Sequence, residues 1–108
     1  MVPKIGVLIA YDTLTYREGL KTIINADDIA IVAEAVVVQR LLLLAQRPDV
    51  HVVVMGVSWH YDDDAGINVI AEIKRRSPGT WIVALGENQM LVDRARNAGA
   101  NLTSIGSP

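Results

Sequence analysis

Val50-His51-Val52-Val53-Val54-Met55-Gly56 is a short apolar run, rich in β-branched residues and closed by a glycine. Such a run predicts a strand, Val50 to Met55, buried on both faces as in a parallel sheet. Moving outward toward the N-terminus, Val37 to Gln46 predicts a helix that stops before Pro48, because a residue preceding proline is pushed out of the helical region. Ile29 to Ala35 reads as another strand, reached through the acidic turn Asp27-Asp28. Thr15-Tyr16-Arg17-Glu18 matches a capping box, and Tyr16, Leu20, Ile23 and Ile24 then fall on one helical face. Lys4 to Ala10 supplies the first strand. On the C-terminal side, Ile67, Ile70, Ala71 and Lys74 share a helical face whose end is marked by Arg75-Arg76 and Ser77-Pro78-Gly79. Thr80 to Leu85 is a fourth strand, and Leu91, Val92, Ala95 and Ala98 stripe a fourth helix, with Gly99 placed to cap it. Asn101 to Ile105 is the fifth strand. Strands alternating with helices through short connections predict right-handed βαβ units and a parallel sheet covered on both faces.

Composition bounds what such a domain can do. The chain has 108 residues, 51% hydrophobic and 20% charged, which suits one domain with one core and excludes disorder. It has no cysteine, so disulfides, thiolate metal sites and thiol chemistry are excluded, in keeping with a cytoplasmic protein. The formal net charge of -2 gives no basic footprint for nucleic acid. Ile29 to Ala45 is interrupted by Glu34, Gln39 and Arg40, so it does not read as a membrane span, and the start is too short for a signal peptide.

Five stretches in order carry a family resemblance: Tyr16-Arg17-Glu18-Gly19-Leu20, Ile31-Val32-Ala33-Glu34-Ala35, Arg47-Pro48-Asp49-Val50, Ile73-Lys74-Arg75-Arg76-Ser77-Pro78 and Ala98-Gly99-Ala100. Across about Lys4 to Gly106 the chain resembles the receiver domain of two-component response regulators, in the LuxR- or NarL-like branch. The resemblance implies a flavodoxin-like three-layer α/β sandwich with strand order 2-1-3-4-5 and a cleft at the carboxyl ends of the strands. It also implies a fifth helix, before which residues 1–108 end; the expectation is a single receiver-like domain lacking its last helix, with any DNA-binding domain lying C-terminal to it.

What the resemblance implies for chemistry is mostly missing. An acidic pair and a phospho-accepting aspartate hold magnesium in the family, while a hydroxyl residue and a lysine bind the phosphoryl oxygens. Those positions fall on Tyr11 and Asp12, on Gly56, on Leu85 (or Gly86 one residue later) and on Gly106. Only Asp12 keeps the expected group. Magnesium needs near-octahedral oxygen ligation, so one carboxylate without a phosphoryl group makes a poor site, and no metal or other cofactor is expected. Asp12 reads instead as a polar residue favouring a helix start, against residual cation binding.

Polar and aromatic side chains outside those positions also bear on chemistry. Asp62-Asp63-Asp64 lacks the alternating ligands of a calcium loop and reads as a solvated turn capping the next helix. Ser58 resembles the nucleophile elbow of a hydrolase only through Gly56, since His60 stands where a second glycine is needed. His51 reads as a satisfied or edge histidine within its strand. Trp59-His60-Tyr61 puts aromatic bulk after the third strand; with Asp12, Gly56, Ser58 and Leu85 it outlines a candidate ligand cleft, unless the aromatics merely fill the space of the lost metal site. Val38, Leu41, Leu42, Leu43 and Leu44 make the second helix apolar nearly all round, a candidate interface unless the segment folds inward.

The expected function is a phosphorylation-independent, non-enzymatic regulatory domain of a transcription factor, acting through homodimerisation or contact with a partner protein. The alternative is a sensor with a small molecule in the vacated cleft.

Overall fold

The computed structural model describes residues 4–24 and 26–106. Its elements alternate as β1 (Ile5–Ala10), α1 (Leu14–Ile23), β2 (Ile29–Ala35), α2 (Val38–Ala45), β3 (Val52–Gly56), α3 (Asp63–Arg76), β4 (Trp81–Gly86), α4 (Gln89–Ala98) and β5 (Leu102–Ile105). The five strands form one parallel sheet in the order β2-β1-β3-β4-β5. This is the flavodoxin-like order, and it puts the end of β1 beside the end of β3 at the point where the chain's direction of winding reverses.

Two cores explain the apolar runs. Successive strand side chains point to opposite faces, so Val53 and Met55 of β3 enter one core with Leu8, Ile82, Ile70, Ile73 and Leu91. Val54 enters the other, with Val7, Ile9 and Leu20. Full burial of each such side chain stabilises the fold by about 1.5–3 kcal/mol. Beside α1, the same sheet face leaves Trp81 52% and Leu102 56% exposed. Among the described residues, no helix is long and apolar enough to cross a membrane.

Several local expectations are corrected. The capping box at Thr15–Glu18 does not form: α1 begins at Leu14 behind Thr13, whose side chain makes no cap hydrogen bond. Leu20 of the predicted face is buried, but Ile23 is 80% exposed. Buried Arg17 decides this start, because its Nη1 donates to the Tyr11 carbonyl (2.9 Å) and its Nε lies 3.4 Å from Glu34. Lys21 chiefly, then Arg17, holds the Glu34 carboxyl below its usual range. On α3 the inward face is Gly66, Val69, Ile70 and Ile73, while Ala71 points out. Gly66 sets that rotation, since a Cβ there would overlap the Val57 carbonyl. His51 lies just before β3, and its Nδ1 accepts from the Gly6 amide at 2.8 Å.

Other expectations hold. Asp62 caps α3, its carboxylate accepting from the amides of Asp64 (3.0 Å) and Ala65 (3.2 Å), an arrangement that contributes about 0.5–2 kcal/mol. Gly99 closes α4 with φ 123°, a conformation that suits glycine. The second helix folds inward: Leu41 is fully buried, Val38, Leu42 and Leu44 pack partly against the main core, and Leu43 is 60% exposed. Of the five residues in the candidate interface, Leu41 therefore belongs to the core; an eight-residue helix lying on a sheet must bury one stripe.

Candidate functional site

At the carboxyl edge of the sheet, β1 delivers Tyr11 and Asp12, and β3 delivers Gly56. Tyr11 stays in the β ladder, its amide donating to the Ala35 carbonyl at 3.1 Å, while Arg17 holds its carbonyl. Its side chain is only 6% exposed and lies across Gly56. A Cβ added to Gly56 would overlap the Tyr11 ring. The same ring packs on Tyr16 (centroids 4.6 Å apart) and approaches Trp59 (6.2 Å). Burial, then the nearby carboxylates of Asp12 and Glu87 and the Tyr16 ring, push the Tyr11 phenol up to about 12.

Trp59 sits beneath the site. It is 2% exposed, belongs to the main core, and its indole N–H donates to the Gly56 carbonyl at 2.9 Å. Tyr11 thus covers the side of Gly56 where a side chain would project, and Trp59 satisfies its carbonyl. The aromatic bulk after β3 is divided accordingly: Trp59 fills the interior, while His60 and Tyr61 stay outside.

His60 and Tyr61 form a two-residue turn between Trp59 and Asp62, whose backbones exchange hydrogen bonds of 3.1 and 2.9 Å. Their φ angles are 49° and 63°. Left-handed conformations cost side-chain-bearing residues roughly 1–2 kcal/mol each. Asp12 offsets part of that cost. One of its carboxylate oxygens accepts from the His60 amide at 2.7 Å and lies 3.4 Å from the His60 imidazole. Asp12 therefore tethers this turn instead of capping α1, the helix it precedes. Strain held at a cleft by one carboxylate is a mark of functional positions.

Above the turn lies an open cavity of about 510 Å³ lined by Tyr11, Asp12, Thr13, Ser58, His60, Tyr61, Asp63 and Glu87. Of the cleft expected from the sequence, Asp12 and Ser58 line it. Gly56 is covered, Trp59 is internal, and Leu85 packs half-buried in the core beneath α1. Gly106 donates its amide to the Gly86 carbonyl at 2.9 Å, and a Cβ there would come within 3.3 Å of the Tyr16 hydroxyl. Ser58 Oγ donates to Asp63 at 2.5 Å, and no histidine bonds to it among the described residues, so the elbow arrangement of a hydrolase is not assembled. Nor do the described residues bring three His, Asp or Glu side chains together to hold a metal.

No family model and no curated protein matches the chain. Solved structures do. RcsB of Salmonella typhimurium superposes with a TM-score of 0.83 at 21% identity, over 98% of this chain and 53% of that one. A chain of the CheX–CheY–BeF3–magnesium complex of Borrelia burgdorferi gives 0.84 at 16% identity, over 98% and 81%. The signal receiver domain of NarL from Mycobacterium tuberculosis gives 0.80 at 20% identity, over 94% and 83%. The fold is that of response-regulator receiver domains. This receiver-like chain spans about half the length of the RcsB protein it matches. Sequence reasoning located its strand ends and singled out Tyr11 and Gly56, but missed that the Tyr11 ring covers Gly56; a large side chain after β1 opposite a glycine closing β3 was the available signal.

Proposed function

We propose that this chain is a receiver-like regulatory domain that works without aspartyl phosphorylation and acts through contact with a second copy or a partner protein. One observation carries the reading: the Tyr11 ring fills the space into which a side chain at Gly56, the position matched to the acceptor by resemblance, would project. Phosphoryl transfer depends on positioning and on neutralising charge around the phosphoryl oxygens. Here the nucleophile is absent, its space is filled, Leu85 and Gly106 offer no hydroxyl or ammonium, and Asp12 is engaged by the His60 turn. The domain in this reading is not an enzyme. Incubation with acetyl phosphate and magnesium is expected to leave the intact mass unchanged, and a phosphate adduct on any side chain would overturn the proposal.

Contact as the mode of output is supported by the surface of α2. A groove of about 400 Å³ runs between α2 and α3, lined by Val38, Gln39, Leu42, Ala65, Asn68, Val69 and Glu72. Val36, Val37 and Leu43 stand exposed beside it. Leu43→Glu is expected to leave stability within about 0.5 kcal/mol, since the residue lies outside the core. It should weaken concentration-dependent association measured by sedimentation; unchanged association would remove α2 from the interface. A role within a transcription factor is supported by RcsB, one of whose structures is a complex with DNA. In that role DNA contact belongs to other parts of the protein, because this domain is slightly acidic.

The cavity above the His60-Tyr61 turn supports a second reading, in which a small molecule bound there biases the domain between conformations.

A further inference from the structure

We infer that the cavity between Asp12, Asp63 and Glu87 binds an organic polycation, a small molecule carrying two or more ammonium or guanidinium groups. This rests on the second reading above, that the cleft is a ligand site, and it names the ligand's chemistry.

The charge pattern comes first. Three carboxylates reach the cavity from three segments: Asp12 after β1, Asp63 at the start of α3 and Glu87 after β4. No lysine or arginine lines it. Convergent negative charge without a counter-charge favours a cationic occupant, and low-dielectric walls focus that field. Glu87 and Asp63 also keep capacity to accept hydrogen bonds, whereas Asp12 contributes its charge, both its oxygens being engaged by Thr13 and by the His60 amide. Glu87 has no hydrogen-bond partner among the described residues, and Asp63 uses one oxygen on Ser58.

A second observation is independent of the acids. Tyr11 is 94% buried by its 6% exposure, yet its hydroxyl has no hydrogen-bond partner among the described residues. No fully buried side-chain oxygen or nitrogen lacks a partner among them, so this hydroxyl retains its surface at the cavity that Tyr11 lines. A phenol whose ring is buried and whose unpartnered hydroxyl keeps surface at a cavity can accept from a donor placed there. Tyr61, fully exposed at 102%, stands at the rim on a turn fixed by Asp12, where its ring can lie against a cation.

The occupant's size separates an organic cation from a metal ion. The cavity's 510 Å³ lies within the range of small-molecule pockets. The carboxylates are dispersed around it, and among the described residues no three metal-ligating side chains are grouped for an ion. Ammonium groups on a short carbon chain can reach dispersed carboxylates, whereas one ion cannot.

The test is amide NMR on the full chain at fixed ionic strength, titrated with putrescine, spermidine, magnesium chloride and sodium chloride. Spermidine is expected to give saturable shifts centred on the amides of Asp12, His60 and Glu87, binding more tightly than putrescine. Glu87→Gln and Asp63→Asn should each weaken spermidine about tenfold, as loss of one charge-assisted contact does. Tyr61→Gly should weaken it about two- to fivefold without lowering the melting temperature, because glycine accepts a φ of 63°. Saturable magnesium binding at the same amides, with spermidine no better than sodium chloride, would overturn the polycation and leave a ligand cleft of another class. No saturable shift with any of the four would sink both the ligand class and the cleft.

Discussion

Gly56→Asp, the change that would supply an acceptor on the proposed reading, is expected to destabilise the protein and still yield no phosphate adduct. The new side chain would have to begin inside the volume of the Tyr11 ring. Overpacking of this kind costs about 1–3 kcal/mol, because an aromatic ring pinned by neighbours cannot yield as the tip of a flexible chain can. The Tyr11 ring packs on the Tyr16 ring, and the Arg17 bond to the Tyr11 carbonyl holds the backbone from which it projects. The two positions should therefore be strongly coupled. In a double-mutant cycle, Gly56→Ala should lose most of its cost in a Tyr11→Ala background, with a coupling of about 0.5–3 kcal/mol read from urea melts. Additive costs would show that the ring does not occupy the acceptor's place, and the central argument against phosphorylation would fall with it. The pairing Tyr11→Asp with Gly56→Asp restores both space and charge, and it is the variant in which an adduct should first appear.

Replacing Trp59 by alanine should be the most damaging single truncation, at about 3–5 kcal/mol. The indole is 2% exposed within the main core, and its N–H is the hydrogen bond of the buried Gly56 carbonyl. Trp59→Phe separates the two contributions. It keeps most of the ring and leaves the carbonyl unpaired, for a cost of about 1–3 kcal/mol. The chain's other tryptophan, Trp81, is 52% exposed, so the blue-shifted part of the emission belongs to Trp59 and reports its environment directly. A Trp59→Ala protein that melts within 1 kcal/mol of the parent, as an order-of-magnitude bound on a buried aromatic, would show that this side chain is not in the core. It would also return Trp59 to the mouth of the cleft, one of the two places the sequence alone left open.

The choice between those two places was partly legible in the sequence. Val53, Met55, Val57 and Trp59 alternate with less buried or opposite-facing neighbours, and all four lie in one core. The period of two simply continues past the end of β3. The capping-box error has a different origin. Thr15 and Glu18 satisfy a local rule, but local capping contributes about 1 kcal/mol. The long-range bonds of buried Arg17, to Tyr11 and Glu34, outweigh it and start the helix at Leu14. The face of α3 was displaced for a similar reason. Its apolar residues are spread widely enough to allow more than one stripe, and close approach at Gly66 chose among them.

Period and composition sufficed for the order of elements, the parallel sheet and the absence of a nucleophile at Gly56, because alternation of apolar residues and residue identity are local properties. Where the Tyr11 ring goes, which aromatic is internal, and which three carboxylates meet around one cavity depended on packing between segments far apart in the chain. Asp12 and His60 are separated by 48 positions, and nothing near either one foretells their hydrogen bond. Such contacts arise only when strand order brings the ends of β1, β3 and β4 side by side.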